Sequence, residues 1–256
     1  MTRHLLIVGA QRCGTTYLHD LLAAHPEIAM ARPARPEPKV FLSDELADRG
    51  RDWYLDTYFA HATDERLLGE KSTSYLEYAE AATRAAAMLG DPLIVVQLRD
   101  PVQRAISNWA FSSDSGLETR PLAEALWANL EGTLPWDPDQ TSVSPFAYLE
   151  RGRYADHLGP WTAHFGDDVK VVFLEELRSG AEEVGDVYAS LGVDPGVRPP
   201  GLGVPVNESR AAADLGPDLR ARLRDHFRDA DEQLAEALGR ELPWGAPAPT
   251  TKETLP

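Results

Sequence analysis

The feature that most constrains this chain is a short apolar run that opens into a glycine loop and then into an apolar helix. Leu5-Leu6-Ile7-Val8 leads into Gly9-Ala10-Gln11-Arg12-Cys13-Gly14-Thr15-Thr16, followed by Tyr17-Leu18-His19-Asp20-Leu21-Leu22. Four consecutive apolar residues leave no polar face, so the run predicts a strand buried on both sides, as in a parallel sheet. Strand, glycine loop and helix in succession gather backbone N–H groups and a helix N-terminus around one concave site suited to a phosphate, with the Thr15 and Thr16 hydroxyls as further donors. Such turns also occur in α/β proteins where they bind nothing, and the loop by itself leaves both readings open.

Three more apolar runs, Leu67–Leu68 before Gly69, Leu93–Leu98 and Val169–Leu174, predict further strands. Residues 16–24, 79–89, 102–111 and 155–164 carry helical patterns between them. Strands alternating with helices imply an α/β fold, a three-layer sandwich with a central parallel sheet. Leu219, Leu223, Phe227, Leu234 and Leu238 mark a long amphipathic helix near the end. Without a repeat or a low-complexity linker, residues 1–244 are expected to form one domain, and the sequence from 245 to 256, GAPAPTTKETLP, a disordered tail. Segment 112–145 mixes acidic residues, Gly, Pro, Trp127 and Trp136 without a strand pattern. It is expected to be irregular, either a lid or acceptor loop over a site or a tolerated surface insertion.

Composition narrows the function. With 25 Lys and Arg against 41 Asp and Glu, the chain carries a formal charge of −16, which argues against nucleic acid or another polyanion as partner. An anionic ligand must then be held by a few cations in short loops. No run of about eighteen apolar residues is present, so no membrane span is expected. The single cysteine, Cys13, permits no internal disulfide and suggests a cytoplasmic protein.

The glycine loop departs from the G-x-x-x-x-G-K-[ST] pattern of nucleoside triphosphatases: Thr15 stands at the Lys position, and a cation lies inside the loop at Arg12. The triphosphatase Lys serves β- and γ-phosphates and its Ser or Thr serves magnesium. A donor with one 5′-phosphate bearing a sulfate needs neither, but it does need a cation near the bridging oxygen. Further along, the strand Leu93–Leu98 runs into Arg99-Asp100-Pro101-Val102-Gln103-Arg104-Ala105-Ile106-Ser107. Pro101 suits a helix start, and about two helical turns return Ser107 to nearly the same face, so Arg99 and Ser107 can share one phosphate. Alone, this stretch reads first as a strand-end Arg-Asp pair followed by a buried Ser.

Together the two motifs resemble the family of sulfotransferases that depend on PAPS (3′-phosphoadenosine 5′-phosphosulfate), and within it the heparan-type and bacterial branch. The resemblance implies a P-loop-like sulfotransferase fold, PAPS as co-substrate, no metal, and transfer of a sulfuryl group to a hydroxyl or amine of a small-molecule or carbohydrate acceptor. It implies that the loop residues Arg12, Cys13, Gly14, Thr15 and Thr16 bind the 5′-phosphosulfate, and that Arg99 and Ser107 bind the 3′-phosphate with Arg210 of the late stretch Asn207-Glu208-Ser209-Arg210. The segment Arg35-Pro36-Glu37-Pro38-Lys39-Val40-Phe41 is similar to the family's K-E-x-x-F-F stretch, which makes Glu37 the general base. Glu70-Lys71-Ser72-Thr73-Ser74-Tyr75 matches E-K-[ST]-x-x-Y, which gives Lys71 a part in stabilising the transferring group. Gly152-Arg153-Tyr154 resembles a helix start in the same family. Three positions depart from the pattern: Arg12 replaces a Lys and can stabilise charge but not readily donate a proton, Pro36 replaces a Lys, and Val40 replaces an aromatic. His25 reads as a helix-ending residue, and His157 and His164 lack the acidic companions of a metal motif. Two rival readings are a P-loop kinase or NTPase and an inactive module that binds the spent donor, PAP.

Overall fold

The computed structural model describes residues 2–137, 141, 143–200 and 215–245. In chain order these form β1 (Arg3–Gly9), α1 (Thr15–Ala23), β2 (Ile28–Met30), α2 (Asp44–Ala47), α3 (Gly50–Tyr58), β3 (Leu67–Lys71), α4 (Ala79–Leu89), β4 (Leu93–Leu98), α5 (Pro101–Asp114), α6 (Leu122–Asn129), α7 (Ala155–Phe165), β5 (Val169–Phe173), α8 (Leu174–Leu177), α9 (Ala181–Ser190) and α10 (Gly216–Leu238). The five strands make one sheet in the order β2-β3-β1-β4-β5, every pair parallel. The α/β reading of the sequence is borne out.

β1 lies at the centre, with Leu5 to Val8 fully buried. Because side chains alternate along a strand, Leu6 and Val8 enter one hydrophobic core with Ile94, Val96, Phe41, Tyr54, Ala82 and Trp161. Leu5 and Ile7 enter another, on the opposite face, with Val95, Leu18, Leu22, Val184 and Tyr188. The two cores separate three layers, with α4 and α7 on one side and α1 and α9 on the other. Since β1 is coated on both faces, its sequence is a continuous apolar run instead of an alternating one. The long helix α10 joins two regions: Leu219, Leu223 and Phe227 pack with α5 and α6, whereas Leu234 packs in the core beneath α7.

Two differences from the sequence reading stand out. Ile28–Met30 is a strand at the sheet edge, too short to show a pattern. Residues 112–145 are not irregular throughout: Ser112 to Asp114 end α5, and Leu122–Asn129 is a helix. Its buried residues Leu122, Ala125 and Leu126 recur at helical spacing and pack beside Val102, Ala105 and Leu149. The segment is closed at its base, where Ser112 Oγ donates to the Pro145 carbonyl at 2.7 Å. Trp127 is exposed and Trp136 half-buried. The call on Arg210 and most of the expected tail, from residue 246 onward, lie outside the described residues.

Candidate functional site

In a parallel α/β sheet, ligands bind beyond the carboxyl ends of the strands, where the connections turn to opposite sides. Here the chain leaves β1 towards β3 and β2 and then crosses to β4 and β5, so the ends of β3, β1 and β4 stand side by side. In register, Ile7 faces Lys71 and Gly9 faces Val96. Every described candidate residue sits on these ends, on the loops after β1 and β2, at the start of α1 or on the helix after β4.

The glycine loop joins β1 to α1. Its backbone is bound to the sheet by Ala10 N–H, which donates to the Gln97 carbonyl at 2.8 Å, and by Gln97 Nε2, which donates to the Cys13 carbonyl at 2.8 Å. Gly14 precedes α1 with φ 81°. A Cβ there would lie 2.7 Å from Leu174 Cδ1, so both conformation and space demand glycine. Thr15, buried, and Thr16, half-buried, open the helix. Cys13 is buried with Sγ 3.3 Å from the Tyr154 hydroxyl, and burial pushes its thiol up to about 11. It is a packing residue at neutral pH.

Two constellations flank this loop. On the β3 side, the Glu37 carboxylate forms an ion pair with Lys71 Nζ, and its Oε2 accepts from Thr73 N–H and Thr73 Oγ1, both at 3.1 Å. Lys71 is the last residue of β3 and is 8% exposed. Glu37 therefore lies with a cation and two neutral donors at the edge of the site. On the β4 side, Arg12 adopts a left-handed φ of 67°, donates from Nε to Ser107 Oγ at 3.2 Å, and lies 4.7 Å from the centre of the Phe111 ring. Arg99, just after β4, donates from Nη1 to the Arg12 carbonyl at 3.4 Å, while its buried Nε has no hydrogen-bond partner among the described residues. The guanidinium bonded to Ser107 is thus that of Arg12, not that of Arg99. Burial and then the like charge of Arg99 lower the Arg12 pKa from its ordinary value, against the opposing pull of Asp114.

Several residues of the site were not singled out from sequence. Thr73 has no motif signal beyond its place next to Ser72. Gln11 donates to Glu77 Oε1 at 3.1 Å, and Arg151 donates to Glu77 Oε2 at 2.8 Å, which braces the loop from the side of residues 150–152. Arg104 is fully buried, donating from Nη2 to the Tyr148 carbonyl at 2.6 Å and from Nη1 to the Gln11 carbonyl at 3.4 Å. Its place four residues after Asp100 in the Arg-Asp-Pro stretch is the signal that could have found it. The Tyr154 hydroxyl donates to the Arg99 carbonyl at 2.9 Å, linking the residues before α7 to the end of β4. The histidines set aside remain outside the site: His25 accepts the Glu27 N–H through Nδ1 at 3.1 Å, and His164 Nε2 lies 3.1 Å from Thr83 Oγ1.

Comparison with known proteins gives concordant matches. Residues 5–57 match the family described as "Sulfotransferase family". The chain is similar to heparan sulfate glucosamine 3-O-sulfotransferase 6 of Homo sapiens, with 30% identity over 94% of this chain and 73% of that protein. It is also similar to bifunctional heparan sulfate N-deacetylase/N-sulfotransferase 1 of Caenorhabditis briggsae, with 32% identity over 70% of this chain and 21% of that protein. The chain thus spans about a fifth of the Caenorhabditis protein and somewhat under two thirds of several other curated relatives. Among solved structures, a sulfotransferase from Alicyclobacillus acidocaldarius matches with a TM-score of 0.73 and 29% identity, covering 94% of this chain and 98% of that one.

Proposed function

The chain belongs to the sulfotransferase family, and on that premise we propose that it transfers a sulfuryl group from PAPS to a hydroxyl or amine, with Glu37 as general base. The observation that carries this reading is the Glu37 carboxylate paired with Lys71 and bonded by Thr73, beside a glycine loop that holds a cation. The residues fit such a donor. Arg99 Nε is buried without a partner among the described residues, and Arg12 lies beside it in the loop. PAPS supplies an activated sulfur whose bond to the 5′-phosphate oxygen breaks as a bond to the acceptor oxygen or nitrogen forms. The products are PAP and the sulfated acceptor.

The work left to the chain is positioning and charge neutralisation, as in phosphoryl transfer. Arg12 and Lys71 stabilise charge on the departing phosphate oxygen, and Glu37 accepts the acceptor's proton. Arg99 and Ser107, with Arg210, hold the 3′-phosphate, and Cys13, Gly14, Thr15 and Thr16 shape the loop around the 5′ end. A formal charge of −16 favours a neutral or cationic acceptor, a sugar or a small molecule, over a highly sulfated polymer. The lone cysteine is consistent with work in the cytoplasm.

Glu37→Gln tests the central claim. The amide keeps size and polarity but cannot take a proton, so kcat at saturation of both substrates is expected to fall by about 10² to 10⁴. PAP affinity, measured by calorimetry, should hold. Near-normal turnover in Glu37→Gln would move the base elsewhere, and collapse of PAP binding would make Glu37 a structural residue.

A further inference from the structure

Glu70 has no part in the chemistry above, yet its carboxylate is fully buried at the end of β3 and bonded by three hydroxyls. Tyr54 donates to its Oε2 at 2.6 Å, and Ser72 and Tyr75 donate to its Oε1 at 2.6 and 2.7 Å. A buried carboxylate ringed by neutral groups is a poor means of stabilising a core, since desolvation opposes it. What it supplies is hydrogen-bond polarity. The Glu70 oxygens accept from all three hydroxyls, and a hydroxyl has one proton and two lone pairs. With their protons committed to Glu70, Ser72 and Tyr75 are left as acceptors.

Both accept from the backbone of the segment that carries Glu37. Lys39 N–H donates to Ser72 Oγ at 2.9 Å, and Phe41 N–H donates to the Tyr75 hydroxyl at 3.2 Å. Lys39 has φ 53°, a left-handed conformation that a non-glycine residue holds only when its surroundings enforce it. The end of β3 therefore grips this segment twice. Lys71 and Thr73 hold the Glu37 carboxylate, while Ser72 and Tyr75 hold the backbone two and four residues beyond it.

We propose that Glu70 is a positioning residue: by drawing the protons of Ser72 and Tyr75 onto itself, it makes both hydroxyls acceptors that fix residues 39–41 and so set Glu37 against Lys71 and Thr73. The proposal rests on the reading of Glu37 as the base. It assigns to the glutamate of the Glu70-Lys71-Ser72 stretch a role through the loop and not through contact with either substrate.

The test uses Glu70→Met, which keeps the length of the side chain and removes the acceptor, and Glu70→Gln, whose amide can turn its NH₂ towards Tyr54 and still offer an oxygen to Ser72 and Tyr75. In folded Glu70→Met, kcat is expected to fall about 10- to 100-fold with unchanged PAP affinity, the scale of a misplaced catalytic group. Glu70→Gln should recover most of that loss. Amide hydrogen exchange at Lys39 and Phe41 should speed up by about tenfold in Glu70→Met and not in Glu70→Gln. Should Glu70→Met not fold, Ser72→Ala and Tyr75→Phe replace it, each expected to free one of the two amides and lower kcat at constant PAP affinity. Unaltered exchange at both amides would overturn the proposal, as would unaltered kcat in a folded Glu70→Met that has lost the protection. Equal damage from Met and Gln would overturn it too, because charge and not polarity would then be what matters. Glu37→Gln run in the same assay separates the two claims. If it keeps full turnover, the base assignment fails, and the exchange data alone decide whether Glu70 fixes the loop.

Discussion

Arg12 concentrates the site's physics at the scale of one residue. Its backbone is left-handed, a conformation costing roughly 1–2 kcal/mol outside glycine, and it is followed two residues later by Gly14 at φ 81°. The turn leaves the Arg12 side chain against Ser107 and Phe111. With Arg99 bonded to the Arg12 carbonyl, two guanidinium groups and one hydroxyl converge, and among the described residues no carboxylate is bonded to either guanidinium. Such a cluster is stabilised by an anion. Arg99→Ala and Ser107→Ala are each expected to weaken PAP binding about tenfold or more, since a hydrogen bond to a charged group contributes about 1.5–3 kcal/mol. Calorimetry on the folded variants measures this, and unchanged affinity in both would remove them from the site.

Among the elements, α5 carries Ser107, and its start is set by Asp100. The Asp100 carboxylate caps the helix by accepting from Val102 N–H at 2.9 Å, and Arg224 of α10 grips the same carboxylate with both Nη groups. Asp100→Ala is expected to cost more stability than Arg224→Ala, because it removes the cap, about 1 kcal/mol, as well as the ion pair. Arg224 is 37% exposed, so the pair alone contributes up to about 1 kcal/mol. Urea unfolding of both variants gives the order; an equal or reversed order would mean that the cap contributes nothing. The strands and helices that bind this frame were legible wherever burial imposes a pattern: the apolar runs of β1 and β4, and the spacing of Leu219, Leu223 and Phe227 in α10. Residues Ile28–Met30 were not, because three residues carry no periodicity. Helix α6 was masked by the Gly, Pro and acidic residues around it, although Leu122, Ala125 and Leu126 have helical spacing. At the candidate site, the sequence yields residues proposed to act through side-chain type, such as Arg12, Glu37 and Arg99. It conceals those that act through geometry, such as Thr73, Gln11 and Glu70, whose partners lie more than thirty positions away or depend on which atom donates.

At the scale of the whole molecule, a chain with sixteen excess negative charges has gathered Arg12, Lys71 and Arg99 at the carboxyl ends of three adjacent strands. In a phosphate loop of the triphosphatase kind, a Lys follows the second glycine, and the next hydroxyl holds magnesium. Here Gly14 is followed by Thr15 and Thr16, and the cation stands two residues earlier, at Arg12. In the proposed reaction, charge on the leaving phosphate is met by Arg12 and Lys71, and no divalent ion is called for. Turnover with PAPS is expected to persist in excess EDTA, at a rate within about twofold of the untreated enzyme, well below the several kcal/mol that a participating metal contributes. ATP, which presents a γ-phosphate where the loop provides no Lys, should not replace PAPS as donor. Loss of sulfuryl transfer on chelation with recovery on adding magnesium would overturn this account and return the loop to the triphosphatase class. Persistence under chelation, with turnover lost in Glu37→Gln, would leave protein side chains as the source of both the charge neutralisation and the proton transfer.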